Sequence, residues 1–231
     1  MRTHDIIRQV SLDLNDQESG YEYTHWTYDQ LASYLQEALD YVYGALKYLF
    51  TAKVVVPLEY GDVWQSACQC DDIQRVLGTT NAEGTRILKR LRKRTDDDNI
   101  FWRSDSSCSR GKPYEAESYM INATDHRSFM VFPPVPATAP RQYVLIECYM
   151  PPAIHSEEDM PFEITGAVKQ WMLYRAMMID SENNAAIAEI GLKHRETFFK
   201  LVEDLAKMRL LEEAKDEGNS AVRQAQDSSS R

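Results

Sequence analysis

The pattern of apolar residues along this chain switches twice, from a helical period to short runs rich in Val, Ile, Tyr and Phe and back again, and few folds can satisfy both switches. From Thr27 to about Phe50, residues Leu31, Leu35, Ala38, Leu39, Val42, Leu46 and Leu49 recur every three or four positions, while Gln36, Glu37, Asp40 and Lys47 fall elsewhere on the wheel. Thr27 and Gln30 fit a capping box, in which each side chain satisfies a backbone N–H left open by the first turn. Gly44 sits inside this helix at a cost of roughly 1 kcal/mol relative to alanine, and marks a close packing contact, a bend or a merely tolerated glycine.

A second helical region follows much later. Pro161 suits a first turn and Asp159 a cap, and the stripe Ile164, Val168, Trp171, Met172, Met178 and Ile179 carries one charge, Arg175. After the polar turn 180–184 comes another stripe: Ile187, Ile190, His194, Phe198, Leu201, Leu205 and Met208. Nothing breaks this last helix before Gly218. At about 1.5 Å per residue it is on the order of 50 Å long, against roughly 36 Å for the Thr27 helix, so it overhangs its neighbours. Leu205, Met208, Leu210 and Leu211 on the overhang need a further surface to cover them, and a second copy of the chain would serve.

Between Phe50 and Met160 the runs 53–58, 73–77, 86–91, 119–122, 129–132 and 143–149 are short and rich in Val, Ile, Tyr and Phe, as strands are. Asp125 to Arg127 suits a hairpin turn, and Pro133, Pro134, Pro136 and Pro140 punctuate the later strands. The stretch 96–117 keeps neither period and reads as a long loop, a length that is usually functional or mobile. The fold class that follows is α+β: mainly an α-helical bundle, with an inserted antiparallel β-hairpin or sheet region and an extended C-terminal tail. One domain over 1–212 is expected, with helices at about 3–14, 27–50, 161–179 and 183–217 and a strand-rich insertion at about 53–150. The extension 213–231 offers almost nothing to bury: Gly218, Asn219, Ser220, Gln224, Gln226 and Ser228 to Ser230 are those of a disordered tail.

Charge and cysteine usage narrow the function classes. A net charge of −10 argues against gripping nucleic acid over the whole surface, because phosphate contacts draw on positive patches. The same charge gives solubility, or lets DNA slide past without sticking. One basic concentration stands out, Arg86, Lys89, Arg90, Arg92, Lys93 and Arg94, followed at once by Asp96, Asp97 and Asp98. It reads as a solvated strand end, an ion-paired subunit contact or, as the alternative function, the DNA-binding segment 86–94. No run approaches ~18 apolar residues and no apolar signal region follows Arg2, so a soluble intracellular product with no membrane partner is expected. Cys68, Cys70, Cys108 and Cys148 are few and irregularly spaced, and reduced thiols are expected.

Candidate chemical sites are incomplete. Cys68-x-Cys70 with Asp71 and Asp72 lacks two further ligands at zinc-like spacing. Asp96 to Asn99 lacks the spacing, central Gly and terminal Glu of a calcium loop. His155, Glu157 and Glu158 suit the start of a helix, and His194 falls on an apolar stripe where a packed, hydrogen-bonded histidine is commoner than a catalytic one. Asn122-Ala123-Thr124 is a glycosylation acceptor with no sign of secretion around it. No nucleophile elbow, P-loop or dinucleotide fingerprint occurs, and no catalytic residue, metal or cofactor is expected.

Several segments, taken in order, resemble the head-to-tail adaptor (connector) proteins of tailed phages. They are Ile6, Ile7 and Val10, then Leu14-Asn15-Asp16, then Trp26-Thr27 opening the Leu- and Ala-striped helix, then Phe129-x-Val131-x-Pro133-Pro134. Leu173-Tyr174-Arg175-Ala176, Asp180, His194 and Phe198 continue the likeness, which spans about Ile6 to Leu205. The loop 96–117 and the tail beyond Leu211 are less typical. The resemblance implies a structural virion protein at the neck between head and tail, made in the host cytoplasm. It would be no enzyme, forming a ring, usually of twelve copies, below the portal. Such a ring extends the DNA channel, passes DNA without sequence-specific binding and docks the next tail or nozzle protein. On this footing Leu205, Met208, Leu210, Leu211, Arg90 and Arg92 are candidate subunit-interface residues, and Ala221, Val222 and Arg223 candidate portal-binding residues.

Overall fold

Thr27 opens the main helix of the N-terminal segment as its sequence context predicts. Its hydroxyl accepts the Gln30 backbone N–H at 3.2 Å, and the Gln30 side-chain oxygen accepts the Thr27 N–H at 2.9 Å. The computed structural model describes residues 2–18, 21–23, 25–61, 64–94, 114–153, 160–181 and 184–229, with the side chains of 17–18, 21–22 and 212–229 left aside. Contacts divide the chain into two units, Met1–Leu49 with Pro152–Arg231, and Phe50–Pro151.

The first unit is helical. Helix α1, Thr3–Asp13, buries Ile6, Ile7 and Val10; α2, Tyr28–Ala45, buries Leu31, Leu35, Ala38, Leu39 and Val42. A short hairpin, β1 (Gln17–Glu18) and β2 (Tyr21–Glu22), lies between them. Helix α3, Thr165–Asp180, packs on α1, α2 and α4, and α4 runs over Ala185–Ser229. Two departures from the sequence reading concern helix ends. Pro161 has extended backbone and leads into a 3-10 turn, Phe162–Ile164, so α3 starts at Thr165 instead of at the proline. Gly218 does not end α4, whose backbone stays helical through 213–229 rather than forming an extended tail. Ala, Glu, Lys, Gln and Arg fill most of that segment and favour helix enough to carry one glycine. Of the readings open for Gly44, a close packing contact is excluded, because an added Cβ meets nothing within 4 Å.

The second unit is two four-stranded sheets around one core. Strands β3 (Thr51–Pro57), β10 (Tyr143–Tyr149), β5 (Asp72–Thr80) and β6 (Ile87–Arg90) form the first, in that order and antiparallel throughout. The second has the order β4 (Gln65–Ser66), β9 (Ser128–Phe132), β8 (Ser118–Ile121) and β7 (Arg92–Lys93), and its β7–β8 pair is parallel. Val56, Ile73, Val76, Val144 and Ile146 from the first sheet pack with Tyr119, Phe129 and Val131 from the second. The expected hairpin joins β8 to β9: Asp125 accepts N–H bonds from Arg127 and Ser128 while His126 takes a positive φ. The sequence reading foresees neither β4 nor β7, each two residues long and too short to show a period.

Cysteine chemistry differs from expectation too. Cys70 and Cys148 are buried, their Cα atoms are 5.8 Å apart, and they form a disulfide that ties the turn before β5 to β10; Cys68 is free and exposed. Irregular spacing in sequence says nothing about two residues, 78 apart, that neighbouring strands bring together.

Candidate functional site

Helix α4 carries much of the apolar surface that the first unit leaves open, with Leu12, Phe162 and Ile179 exposed elsewhere. Its buried side is Gly191, Phe198 and Val202, with Ile187, His194 and Leu205 half-buried. At about 100° per residue, Ile190, Leu201 and Met208 fall together in a row roughly 75° to one side of Phe198. Leu192, Phe199 and Leu210 fall in a second row about 110° to the other side. All six are exposed, Met208 at 53% and Leu210 at 65%, and Leu211 adds 63%. Opposite the buried side runs a charged strip, Glu189, Lys193, Glu196, Lys200, Glu203 and Lys207. Lys193 pairs with Glu189 at 2.8 Å and Lys207 with Glu203 at 2.6 Å, and the lysine hydrogen bonds hold both carboxyls below the usual range. The helix therefore has one inner face, one solvated face and two apolar flanks between them. The sequence reading merges one flank with the inner face, because Ile190, Leu201 and Met208 keep helical spacing among themselves.

Aromatic rings anchor this helix. Trp171 of α3 lies 4.9 Å from Phe198 and 4.6 Å from Tyr41 of α2, measured between ring centroids, and Phe198 lies 5.2 Å from Phe199. Tyr41 is 51% exposed, so the cluster continues onto the surface. The Trp171 indole N–H donates to Glu37 at 3.0 Å, and Arg175 Nε stands 2.8 Å from the same carboxylate, close enough for an ion pair although its N–H is not aligned for a hydrogen bond. Arg175 also lies over the Tyr34 ring at 5.6 Å, which resolves how its charge is accommodated on an apolar helix.

Candidate interface residues separate under this geometry. Met208 and Leu210 belong to opposite flanks, Leu211 borders the charged strip, and Leu205 turns inward, its carbonyl accepting the Tyr48 hydroxyl at 3.3 Å. Ala221, Val222 and Arg223 lie on the helical backbone of α4, with side chains outside the described residues. Ile190, Leu192, Phe199 and Leu201 of α4 and Tyr41 of α2 are exposed as well. Wheel arithmetic could have found the four on α4, whereas Tyr41 needed knowledge of what α3 and α4 leave uncovered.

Arg90 and Arg92 lie in the second unit, on β6 and β7, both exposed. Lys89 pairs with Glu115 at 2.9 Å, and the Arg94 guanidinium lies 4.7 Å over Phe132. The side chains of Arg86, Arg90, Arg92 and Lys93 make no ion pair among the described residues. Asp96 to Asp98, expected to offset them, lie outside the described residues, as do Asn99, His155, Glu157 and Glu158.

Other candidate centres take structural partners. His194 Nδ1 is 2.6 Å from the Gln170 side-chain oxygen, and burial pushes its pKa down. Cys70 is in the disulfide, Asp71 pairs with Arg127 at 2.8 Å, and Asp72 lies 3.8 Å from His126. Asn122 accepts the Thr124 N–H at 2.9 Å in a local turn. No group of three or more metal-ligating side chains occurs among the described residues. Nor is any helix among them long and apolar enough to cross a membrane.

Near the start of the chain, the buried Asp16 carboxylate clasps the segment leading into α2, accepting the backbone N–H of His25 at 2.5 Å and of Trp26 at 2.9 Å. One match takes in the strand-rich second unit and nearly all of the helical first: the family model for SU10 adaptor protein covers residues 1–225. The chain belongs to the SU10 adaptor protein family. The match takes in α1 to α3, the ten described strands and most of α4. This is an adaptor-type family of phage structural proteins. No curated protein matches the chain.

Proposed function

We propose that this SU10 adaptor protein is a non-enzymatic head-to-tail adaptor that assembles as a ring below the portal, extends the DNA channel and docks the next tail component. The observation that carries the reading is the pair of apolar flanks on α4. A two-fold dimer covers one self-complementary patch, whereas a ring joins two different patches, the left side of one copy to the right side of the next. Ile190, Leu201 and Met208 supply one side and Leu192, Phe199 and Leu210 the other. Exposed apolar area of this kind marks an interaction site in a protein otherwise well charged. A net charge of −10 suits a conduit, since a lumen of like sign lets DNA slide without sticking.

The far end of α4 is assigned to the portal. A helix of 45 residues is about 67 Å long, far beyond the roughly 24 Å of α3, so its C-terminal half outruns the helix it packs on. Ala221, Val222 and Arg223 lie on that half. Purified portal should hold the full chain and release a truncation ending at Leu211 more readily, as measured by co-sedimentation. Undiminished attachment of the truncation would remove the portal role of the segment.

A further inference from the structure

In the second unit, β6 and β7 are one extended run, 87–93, that leaves the first sheet and enters the second at the buried Leu91. Each is the last strand of its sheet, so along both sheets this run presents an edge that no described strand pairs. Six cations and no acid fall within 86–94 of a chain whose net charge is −10, so the remainder is more acidic still. Arg86, Arg90, Arg92 and Lys93 make no ion pair among the described residues.

Two further features decide what such an edge fits. Leu88 is 60% exposed and Ile87 is exposed beside it, so apolar side chains interleave with the cations. The run ends at an open depression of about 430 Å³ lined by Gln74, Lys93, Arg94, Met120, Asn122 and His126, with Asp72 close to His126. A duplex presents phosphate oxygens, which make no favourable contact with Leu88 and Ile87, and its rigid backbone does not reach into the depression. A peptide does both, because alternate residues of an added strand face opposite sides while its main chain pairs with the edge.

We propose that the β6–β7 edge is a docking strip for an extended acidic segment of another protein. The segment adds as a strand to β6, pairs its carboxylates with Arg86, Arg90, Arg92 and Lys93, and lays apolar side chains on Leu88 and Ile87. The strip belongs to the second unit and the α4 flanks to the first, and the proposal holds whether or not the chain forms a ring.

The test uses the full chain and a fluorescent synthetic peptide alternating Glu and Val, followed by anisotropy. Its comparisons are the N-methylated form of the peptide, a Lys–Val counterpart and a short DNA duplex. The Glu–Val peptide should bind and raise the amide-exchange protection of residues 87–93. Affinity should fall at least about tenfold for R86E/R90E/R92E, consistent with several modest ion pairs, and by a smaller factor for R86Q/R90Q/R92Q. The N-methylated peptide should also bind at least about tenfold more weakly, since it lacks the donors a new strand needs. Circular dichroism of both variants should match the parent, as all three arginines are exposed. Equal binding of the peptide to parent and variants, or equal binding of the N-methylated form, overturns the proposal. So does tighter, steeply salt-dependent binding of the duplex, which would give the strip to nucleic acid. Absence of peptide binding together with aggregation of the variants also overturns it, and would leave the cations as guards against edge-to-edge pairing.

Discussion

His194 shows how a single side chain carries a measurable signature of packing. It faces Gln170 from α4, and burial lowers its pKa, so the folded protein disfavours the charged imidazole relative to the unfolded chain. With the folded pKa below the unfolded one, near 6.5, the unfolded state binds the proton first as pH falls. Stability is then complete above about pH 6.5, declines below it, and levels off once pH has passed the lowered folded pKa. Thermal melts between pH 7.5 and 5 should show this decline in the parent and a shallower one in His194→Gln, which keeps a hydrogen-bonding side chain without the titration; equal slopes would separate His194 from the effect. Sequence spacing favours a packed, hydrogen-bonded histidine over a catalytic one at His194, because an apolar stripe at helical period predicts burial. It could not name Gln170, which depends on how α3 and α4 align.

Among the elements, β6 is held by a glycine. A Cβ added at Gly78 would come 2.2 Å from the Lys89 carbonyl oxygen and 2.9 Å from the Ile87 side chain, so β5 and β6 approach closely at that point only because residue 78 has no side chain. The turn between the two strands uses the second such residue, Gly84, at φ +70°. Gly78→Ala should cost about 1–3 kcal/mol through backbone displacement, read as a lower urea midpoint, with faster amide exchange at residues 87–90 than elsewhere in the sheet. Unchanged exchange there would mean that the approach is not limited by this contact. Six strands were legible because each is a short run of at least four residues between turn-forming segments, most of them rich in Val, Ile, Tyr and Phe. Strands β4 and β7 were not, since two residues hold no period, and the parallel β7–β8 pairing depends on a connection that sequence pattern does not specify. Helix α2 was legible to its cap because Thr27 and Gln30 carry their own geometry. Helix α4 was legible in existence and not in extent: Gly218 and a polar composition suggested an end where favourable helix formers continue.

At the level of the whole molecule, the account rests on α4 having two apolar flanks that one copy of the chain leaves uncovered. The sequence showed that this helix carries more apolar surface than a bundle of ordinary length can hide, through Met208, Leu210 and Leu211. Sorting that surface into an inner face and two flanks required Phe198 and Val202 to be seen buried, which fixes the zero of the wheel. Native mass spectrometry of three samples tests the claim most directly: the parent, L201E/M208E and L192E/F199E, each alone, on the portal and as a mixture of the two variants. The parent should give a closed multimer and each variant alone a single copy, since each loses one side of every contact. The mixture should give a two-copy species and nothing larger, because one intact flank from each variant can meet only once. A parent that stays single-copy both alone and on the portal, or variants that each still close into the parent's multimer, would contradict the account.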